Sequence, residues 1–340
     1  MPTLATPFAQ LDLIRQPEMA NEPLQAFDAA DEYLLAHLHE QGLGPDSRVL
    51  LLNDGFGALA CSLAAHCRVT SSGDSHLGHL ALQKNLARNG LAADRVTFVP
   101  ASATAEGPFD WVLVRVPKTL ALLEEQLIRL HGQLVPGARV IAGAMIKHLP
   151  RAAGDLLEQY IGPVQASLAV KKARLLTATP EARPAPVSPY PTRYQLDKPA
   201  IELLNHANVF CREGLDIGTR AFLPHLPKSL VPQRVADLGC GNGVLAIAFG
   251  FWLWFGFGFT GGWLHVKTML VTFLIVYHAL TFIGSHRHEF RITSTTIFRP
   301  SFHTIRKVGN PLLSDDAFQL LFEWRTFLPS YGNLCLNLIA

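Results

Sequence analysis

Residues 235–246 read Val-Ala-Asp-Leu-Gly-Cys-Gly-Asn-Gly-Val-Leu-Ala, a short apolar strand that ends in an acid and continues into a turn rich in glycine. Glycine lets the backbone turn sharply and lets a ligand approach it, and the amides of the following helix favour electron-rich ligand atoms. Unlike the Gly-x-Gly-x-x-Gly dinucleotide pattern, this one carries an acid two residues before its first glycine. That acid suits the amino-acid end of S-adenosylmethionine better than a pyrophosphate.

Upstream of the turn, stretches with strand and helix spacing alternate along the chain. The spacing predicts helices over 29–40, 58–66, 77–89 and 120–130. It predicts strands over 48–52, 69–72, 96–99, 111–116 and 140–143. Strands that alternate with helices indicate a parallel, doubly wound sheet, and therefore the α/β class.

The region around the glycine turn has an earlier copy in the chain. Residues 48–64 align with residues 234–250, and seven positions of the first copy are identical in the second: Arg48, Val49, Leu52, Gly55, Gly57, Leu59 and Ala60. The first copy has Leu51 where the second has Asp237, and Asn53 where the second has Gly239. We therefore expect the first copy to keep the fold and the second to keep the binding site.

A proline-rich segment, residues 177–194, separates the two copies and should run extended, because proline fits neither a regular helix nor a central strand. It predicts a domain boundary, with an N-terminal domain over 1–176 and the start of a second domain over 195–249. A long surface loop inside one domain is the alternative. The repeat on both sides favours the linker.

Several separated blocks resemble one family, the RlmG guanine N2-methyltransferases of large-subunit ribosomal RNA, which are related to the small-subunit enzyme RsmC. The resemblance covers about residues 11–248, and its blocks are Ala29–Leu35, Leu52–Leu59, Val116–Glu124, Lys171–Leu175 and Asn205–Gly218. It implies tandem Rossmann-like methyltransferase domains. The first is complete but degenerate and grips RNA, and the second binds S-adenosylmethionine and transfers its methyl group to protein-free 23S ribosomal RNA.

The resemblance also implies roles for individual residues. The cofactor turn would be lined by Asp237, Gly239, Gly241, Asn242 and Gly243. The segment Phe210 to Asp216 would pack over that turn, with Asp216 counted among the cofactor-binding residues. RNA phosphates would be contacted by Lys171, Lys172 and Arg174. The alternative is that these residues form an ordinary solvated charged face. No catalytic residue is assigned.

Composition sets further bounds on function. The net charge of +2 is compatible with an RNA substrate but falls short of a strongly basic nucleic-acid binder. The five cysteines are odd in number and lack metal-ligand spacing, so we expect reduced thiols in a cytoplasmic protein and no metal site. The N-terminus lacks the pattern of a secretory signal, and we expect a monomer.

The sequence after the glycine turn departs from the family. No Asp or Glu occurs from Leu238 to His288, although an acid about twenty residues after the turn is expected to hold the cofactor ribose. The target-base motif Asn-Pro-Pro-Phe is matched only weakly, by Asn310-Pro311-Leu312-Leu313. These observations predict a second domain that is truncated after its first strand–turn–helix and followed by apolar helices.

The apolar block itself resembles a different family. Residues 256–267 and 274–278 are similar to part of the HemJ-type membrane proteins of haem biosynthesis. The uncharged runs 244–263 and 268–285 are long enough to form a membrane hairpin, with a buried soluble helix pair as the alternative. Residues 250–285 are thus predicted to be membrane-helix-like, and residues 286–340 remain unassigned. A junction near Phe249 with unrelated sequence explains this change.

Three hypotheses follow for the function of the chain. The first is an S-adenosylmethionine-dependent ribosomal RNA methyltransferase. The second is a non-catalytic RNA-binding remnant, which would retain RNA without binding cofactor. The third is a membrane-anchored chimera that associates with the bilayer through residues 244–285.

Overall fold

The computed structural model describes residues 3–19, 21–197, 200–225 and 237–245. The chain divides into a first unit, Met1–Tyr190, and a second unit, Pro191–Ala340. Each unit is described by itself below.

The first unit contains five helices and nine strands among its described residues. Its helices are α1 (Ala29–Glu40), α2 (Ala58–Leu63), α3 (His76–Arg88), α4 (Leu120–Arg129) and α5 (Arg151–Tyr160). Its strands are β1 (Leu4–Ala5), β2 (Gln10–Leu11), β3 (Arg48–Leu52), β4 (Arg68–Gly73), β5 (Val96–Pro100), β6 (Phe109–Arg115), β7 (Leu134–Met145), β8 (Val164–Ala166) and β9 (Ala173–Ala178).

Seven strands form one sheet in the order β5-β4-β3-β6-β7-β9-β8. The strands from β3 to β7 pair in parallel, whereas β9 pairs antiparallel with both β7 and β8. The predicted α/β class and the predicted parallel sheet are confirmed. Chain order reverses between the neighbours β3 and β6, which creates a crevice at their carboxyl ends.

The hydrophobic core lies on both faces of this sheet. Alternate residues of β3 separate cleanly, because Val49 and Leu51 pack with α1, α2 and α3, whereas Leu50 and Leu52 pack with α4 and α5. Side chains of a strand point to opposite faces in turn, so a strand covered on both sides must be apolar throughout. This explains why residues 48–52 read as an uninterrupted apolar run.

The proline-rich segment is narrower than the predicted range 177–194, because β9 ends at Ala178 and the next strand begins at Thr192. Residues 180–190 contain neither helix nor strand. They are nevertheless held by side chains of the first unit, since Tyr190 donates from its hydroxyl to Glu124 Oε2 at 2.7 Å and Ser188 donates to Glu125. The end of the segment is therefore anchored to α4.

The second unit, where it is described, begins with a hairpin. Strands β10 (Thr192–Asp197) and β11 (Ala200–Asn205) pair antiparallel, and Thr192 faces Asn205 across the ladder. A short helix, α6 (Ile217–Phe222), follows. Within the described parts of the chain, every helix is too short or too polar to cross a membrane. The apolar helices predicted after the glycine turn, and residues 286–340, lie outside the described residues.

Candidate functional site

The glycine turn presents an open backbone surface. Gly239, Gly241 and Gly243 have φ angles of 75°, 55° and 77°, a left-handed conformation that favours glycine. A Cβ placed on Gly239 would meet no atom within 4 Å, and one on Gly241 would meet only Gly239 O at 3.9 Å. The three glycines are therefore needed for the course of the backbone, and among the described residues Gly239 and Gly241 leave room for a ligand beside it.

Asn242 joins the turn to the hairpin. Its Nδ2 donates to Tyr194 Oη at 2.9 Å and to Asn205 Oδ1 at 3.0 Å. Its Oδ1 accepts from the backbone amide of Val244 at 3.2 Å, so the same side chain caps the start of the following segment. Burial raises the pKa of Tyr194, which keeps its hydroxyl neutral. Three hydrogen bonds thus fix the side chain of Asn242.

Asn205 is the buried centre of this network. It is fully buried, and its Nδ2 donates to the backbone carbonyl of Arg212 at 3.0 Å. Thr192 donates to the same carbonyl from its hydroxyl at 2.9 Å. One amide side chain therefore connects the glycine turn to the segment 210–216 that was expected to pack over it. The ring of Phe210 itself is 76% exposed.

Asp216 occupies a structural position at the start of α6. Its Oδ2 accepts from the backbone amide of Thr219 at 2.9 Å, which is the N-cap arrangement. This backbone hydrogen bond is the main reason why the pKa of Asp216 lies below its ordinary value. The carboxylate predicted to bind cofactor thus already serves as a helix cap, and its assignment to the cofactor stays a prediction.

Asp237 fits the amino-acid end of S-adenosylmethionine. Its Oδ2 is buried and has no hydrogen-bond partner among the described residues. A buried carboxylate oxygen without a donor is costly, and an ammonium group from a ligand satisfies it. The open glycine backbone and this acceptor match the amino-acid end of the cofactor, so the described residues of the turn fit that part of it.

The corresponding turn in the first unit is closed at Gly57, although Gly55, the counterpart of Gly241, has open space beside it. Gly57 has a φ of 86°, but a Cβ there would stand 2.9 Å from Leu82 Cδ1 and 3.0 Å from Leu82 Cα. The backbone of α3 therefore covers this turn. Asn53 also has a positive φ of 63°, and Asp54 Oδ2 accepts from the amide of Ala60 at 2.8 Å. The Asp54 carboxylate therefore binds an amide of α2.

Beside that closed turn lies an open cleft of about 340 Å³ at the carboxyl ends of β3 and β6. Its charged centre is Arg115, whose Nη2 donates to Asp28 Oδ2 at 2.7 Å and whose Nε lies 3.3 Å from Asp31 Oδ1. Burial raises the pKa of Asp31 to about 7, against the opposing charge of Arg115, and the carboxylates of Asp54 and Asp28 raise it further. The positive charge of Arg115 thus acts on three acids, Asp28, Asp31 and Asp54.

The Asp31 carboxyl group makes the stability of the first unit depend on pH. Its folded pKa of about 7 exceeds its ordinary value of 3.8, so between these values the folded state holds a proton that the unfolded state releases. Stability from this group therefore falls as pH rises from about 4 to 7. We compare the free energy of unfolding of Asp31→Asn with that of the parent by urea unfolding. We expect the difference in favour of the variant to increase by about 1–3 kcal/mol when the pH is raised from 5 to 8. An equal effect at both pH values would show that Asp31 is already ionised at pH 5.

The predicted RNA contacts lie at a tight turn before β9. Lys171 and Lys172 have φ angles of 47° and 65°, and Val170 and Ala173 exchange both backbone hydrogen bonds across them. This geometry normally selects Asn-Gly, so two lysines here are strained. Lys171 Nζ lies 2.6 Å from Glu32 Oε2, with 70% of the lysine side chain exposed. Arg174 is half-buried in β9.

The described residues include neither a disulfide bond nor a cluster of potential metal ligands. Cys61, Cys67, Cys211 and Cys240 form no disulfide bonds. No group of three or more potential metal ligands comes together in the described ranges.

Two protein-family models match the chain. The model for the RLMG N-terminal domain matches residues 1–182, and the model for the methyltransferase small domain matches residues 200–250. Similar proteins include the ribosomal RNA large subunit methyltransferase G of Stutzerimonas stutzeri, 82% identical over 73% of this chain, and that of Ectopseudomonas mendocina, 78% identical over 73%. The chain spans 66% of the length of each of these two relatives.

Solved structures also resemble the chain. One is the Thermus thermophilus 16S rRNA N2 G1207 methyltransferase RsmC in complex with AdoMet and guanosine, 17% identical, with a TM-score of 0.47 over 66% of this chain and 57% of that one. TrmN from Thermus thermophilus is 18% identical, with a TM-score of 0.35 over 44% of this chain and 49% of that one.

Proposed function

The chain belongs to the RlmG family, and from this membership we propose that its first unit grips ribosomal RNA and its glycine turn binds S-adenosylmethionine for methyl transfer to a guanine N2. The family resemblance read from the sequence is thereby confirmed. The relatives named as large-subunit ribosomal RNA methyltransferases support 23S ribosomal RNA as the substrate.

The observation that carries this proposal is the glycine turn, in which Asp237 Oδ2 is buried and has no hydrogen-bond partner among the described residues. S-adenosylmethionine, when bound, supplies an electrophilic methyl group. The chain's own residues bind and orient: Asp237 accepts from an ammonium group, and the open backbone at Gly239 and Gly241 admits the ligand. Asn242, fixed by Tyr194 and Asn205, keeps the turn in shape.

The test has two steps with the full chain. Calorimetry measures S-adenosylmethionine binding by the parent and by Asp237→Asn, which keeps the shape of the side chain but lacks its charge. Methyl transfer is then measured on protein-free 23S ribosomal RNA from cells that lack the modification. Binding that Asp237→Asn abolishes, followed by transfer, supports the proposal. A parent that does not bind the cofactor refutes the cofactor assignment.

A second candidate is RNA binding without catalysis. The observation that favours it is the absence of Asp and Glu from Leu238 to His288, where an acid for the cofactor ribose was expected. This candidate predicts RNA retention by a chain that neither binds cofactor nor transfers methyl groups. The same two measurements, combined with an RNA-binding assay, separate it from the enzyme.

The lysine turn offers a variant that separates folding from RNA binding. Replacing Lys171 and Lys172 with Asn and Gly gives the turn its preferred residues and removes two exposed cations. We expect the first unit to gain about 1 kcal/mol of stability, because the left-handed strain is relieved. RNA affinity should fall severalfold, and the slope of log affinity against log salt should shrink by up to about 2. The stability gain is read from urea unfolding, and an unchanged salt slope would remove these lysines from the RNA contact.

Cellular location and assembly complete the proposal. We propose a cytoplasmic monomer, in line with the ribosomal RNA that its relatives are named for. The HemJ-like segment, residues 250–280, and membrane attachment through residues 244–285 remain predictions from sequence. Flotation of the expressed chain with lipid vesicles tests them, and recovery in the lipid fraction would favour the membrane-anchored form.

A further inference from the structure

We propose that the cleft between β3 and β6 of the first unit receives one unstacked, amino-bearing nucleobase of an RNA strand. The proposal rests on the proposed function to the extent that RNA is the partner. It goes further by assigning a binding site to the copy whose cofactor turn is closed.

The cleft is where an open α/β sheet binds ligands. Chain order reverses between β3 and β6, and the crevice opens outside their carboxyl ends. Its volume of about 340 Å³ falls within the usual range for small-molecule sites, roughly 300–1,000 Å³. The covered turn at Gly57 does not block it, because the cleft is lined by Asn53 to Phe56 on one side and by Arg115 to Lys118 on the other.

The walls provide stacking surfaces. Phe27, Phe56 and Pro117 line the cleft, and the Arg15 guanidinium lies over the Phe56 ring, with its Cζ 4.6 Å from the centroid. Aromatic rings and arginine planes are the surfaces on which unpaired bases stack in single-stranded RNA recognition. A flat ring of one base thus matches the chemistry of these walls.

The charges of the cleft suit a base better than a phosphate. Its lining holds three acids (Asp28, Asp31 and Asp54) and three cations (Arg15, Arg115 and Lys118), so it has no excess of positive charge that would select a phosphate. The side chain of Asp28 is 41% exposed, which lets its carboxylate accept from an exocyclic amino group. Guanine, adenine and cytosine carry such a group, whereas uracil does not.

Cations lie along the same edge of the sheet as the cleft, and Lys118 lines the cleft itself. Lys118 follows β6, Lys147 follows β7, and Lys171 and Lys172 directly precede β9, whose first residue pairs with the last residue of β7. The carboxyl ends of these strands and the start of antiparallel β9 therefore share one edge. This places phosphate-binding charge next to the base-binding cleft, as a single strand requires.

A plug variant tests the cleft without disturbing the backbone. Gly55 lines the cleft, its φ is not positive, and a Cβ there meets nothing within 4 Å, so Gly55→Leu puts a side chain into the cavity. Gly44→Leu is the matched control, since Gly44 lies before β3 at the opposite edge and its Cβ meets only Ser47 Oγ at 3.4 Å. The full chain is used throughout.

The probe is a single-stranded adenine-rich RNA oligonucleotide with one central 6-thioguanosine. We expect Gly55→Leu to weaken its binding about 5- to 100-fold by fluorescence anisotropy, which corresponds to the loss of one stacked base. Gly44→Leu should bind like the parent. Photo-crosslinks should map to peptides that contain Phe27, Phe56 or Pro117 in the parent and should disappear in Gly55→Leu.

The outcomes distinguish the cleft from the proposed function. Equal affinity of parent and plug variant, with RNA still bound, overturns the cleft while leaving RNA binding intact. A parent that binds no RNA overturns both. Tight binding of free guanosine monophosphate that excludes the oligonucleotide would assign the cleft to a free nucleotide instead. A uridine-only oligonucleotide that binds as well as the amino-bearing one would overturn the base selection.

Discussion

Substituting valine for Gly143 is expected to destabilise the first unit strongly. Gly143 lies in β7 under α1, and a Cβ there would stand 2.8 Å from Leu34 Cγ and 3.0 Å from Leu175 Cδ2. Leu34 is fully buried and Leu175 almost so, which leaves neither side chain room to move. We expect a loss of about 3 kcal/mol, because overpacking forces both leucines away from their preferred conformations.

The control for Gly143→Val is Gly154→Ala on α5. A Cβ there meets only Leu176 Cδ1, at an ordinary 3.7 Å, and alanine favours a helix over glycine by about 1 kcal/mol. Hydrogen exchange by mass spectrometry, read on peptides from β6 and β7, reports the first unit alone. We expect exchange to be slower in Gly154→Ala and faster in Gly143→Val than in the parent. Unchanged protection in Gly143→Val would mean that α1 shifts to admit the side chain.

Sequence predicts the parallel part of this fold well because its signal is local. The bounds of α1 and β3 match the predicted ranges 29–40 and 48–52, since each combines a clear apolar period with a polar boundary. β7 begins at Leu134, six residues before the predicted start, because Pro136 and Gly137 interrupt its pattern and only pairing with β6 extends it. The sequence made no prediction for α5, whose buried residues are only Ala153 and Leu157.

The candidate site was predictable only in part. The glycines of the turn could be recognised in the sequence, because a turn with positive φ angles favours this residue type, and each of the three adopts such an angle. Asn205 was visible only as one residue of a family block, because its partner Asn242 is distant in sequence and a buried amide has no pattern of its own. The cleft between β3 and β6 was missed for the same reason: Asp28, Asp54 and Arg115 meet only in the folded unit.

Replacing Asn205 with alanine is expected to have the largest effect in the second unit. The change removes the donor to the Arg212 carbonyl and the acceptor for Asn242. Each of these groups keeps one hydrogen bond, to Thr192 and to Tyr194. We expect the second unit to lose about 2–4 kcal/mol, from the two lost hydrogen bonds and the cavity together. S-adenosylmethionine affinity should fall at least about tenfold by calorimetry, because Asn242 no longer fixes the turn.

A graded series shows whether Asn205 acts through the turn. Tyr194→Phe removes only one acceptor from Asn242, so it should cost about fivefold in cofactor affinity, the equivalent of one neutral hydrogen bond. Glu202→Gln is the matched control, because Glu202 is exposed on the same strand and has only a 3.7 Å ion pair with Arg193. Affinities that fall in the order Glu202→Gln, Tyr194→Phe, Asn205→Ala would establish the network as the support of the turn. Full cofactor binding by Asn205→Ala, with faster hydrogen exchange in β11, would limit Asn205 to holding the hairpin, since a destabilised strand alone does not alter the glycine backbone.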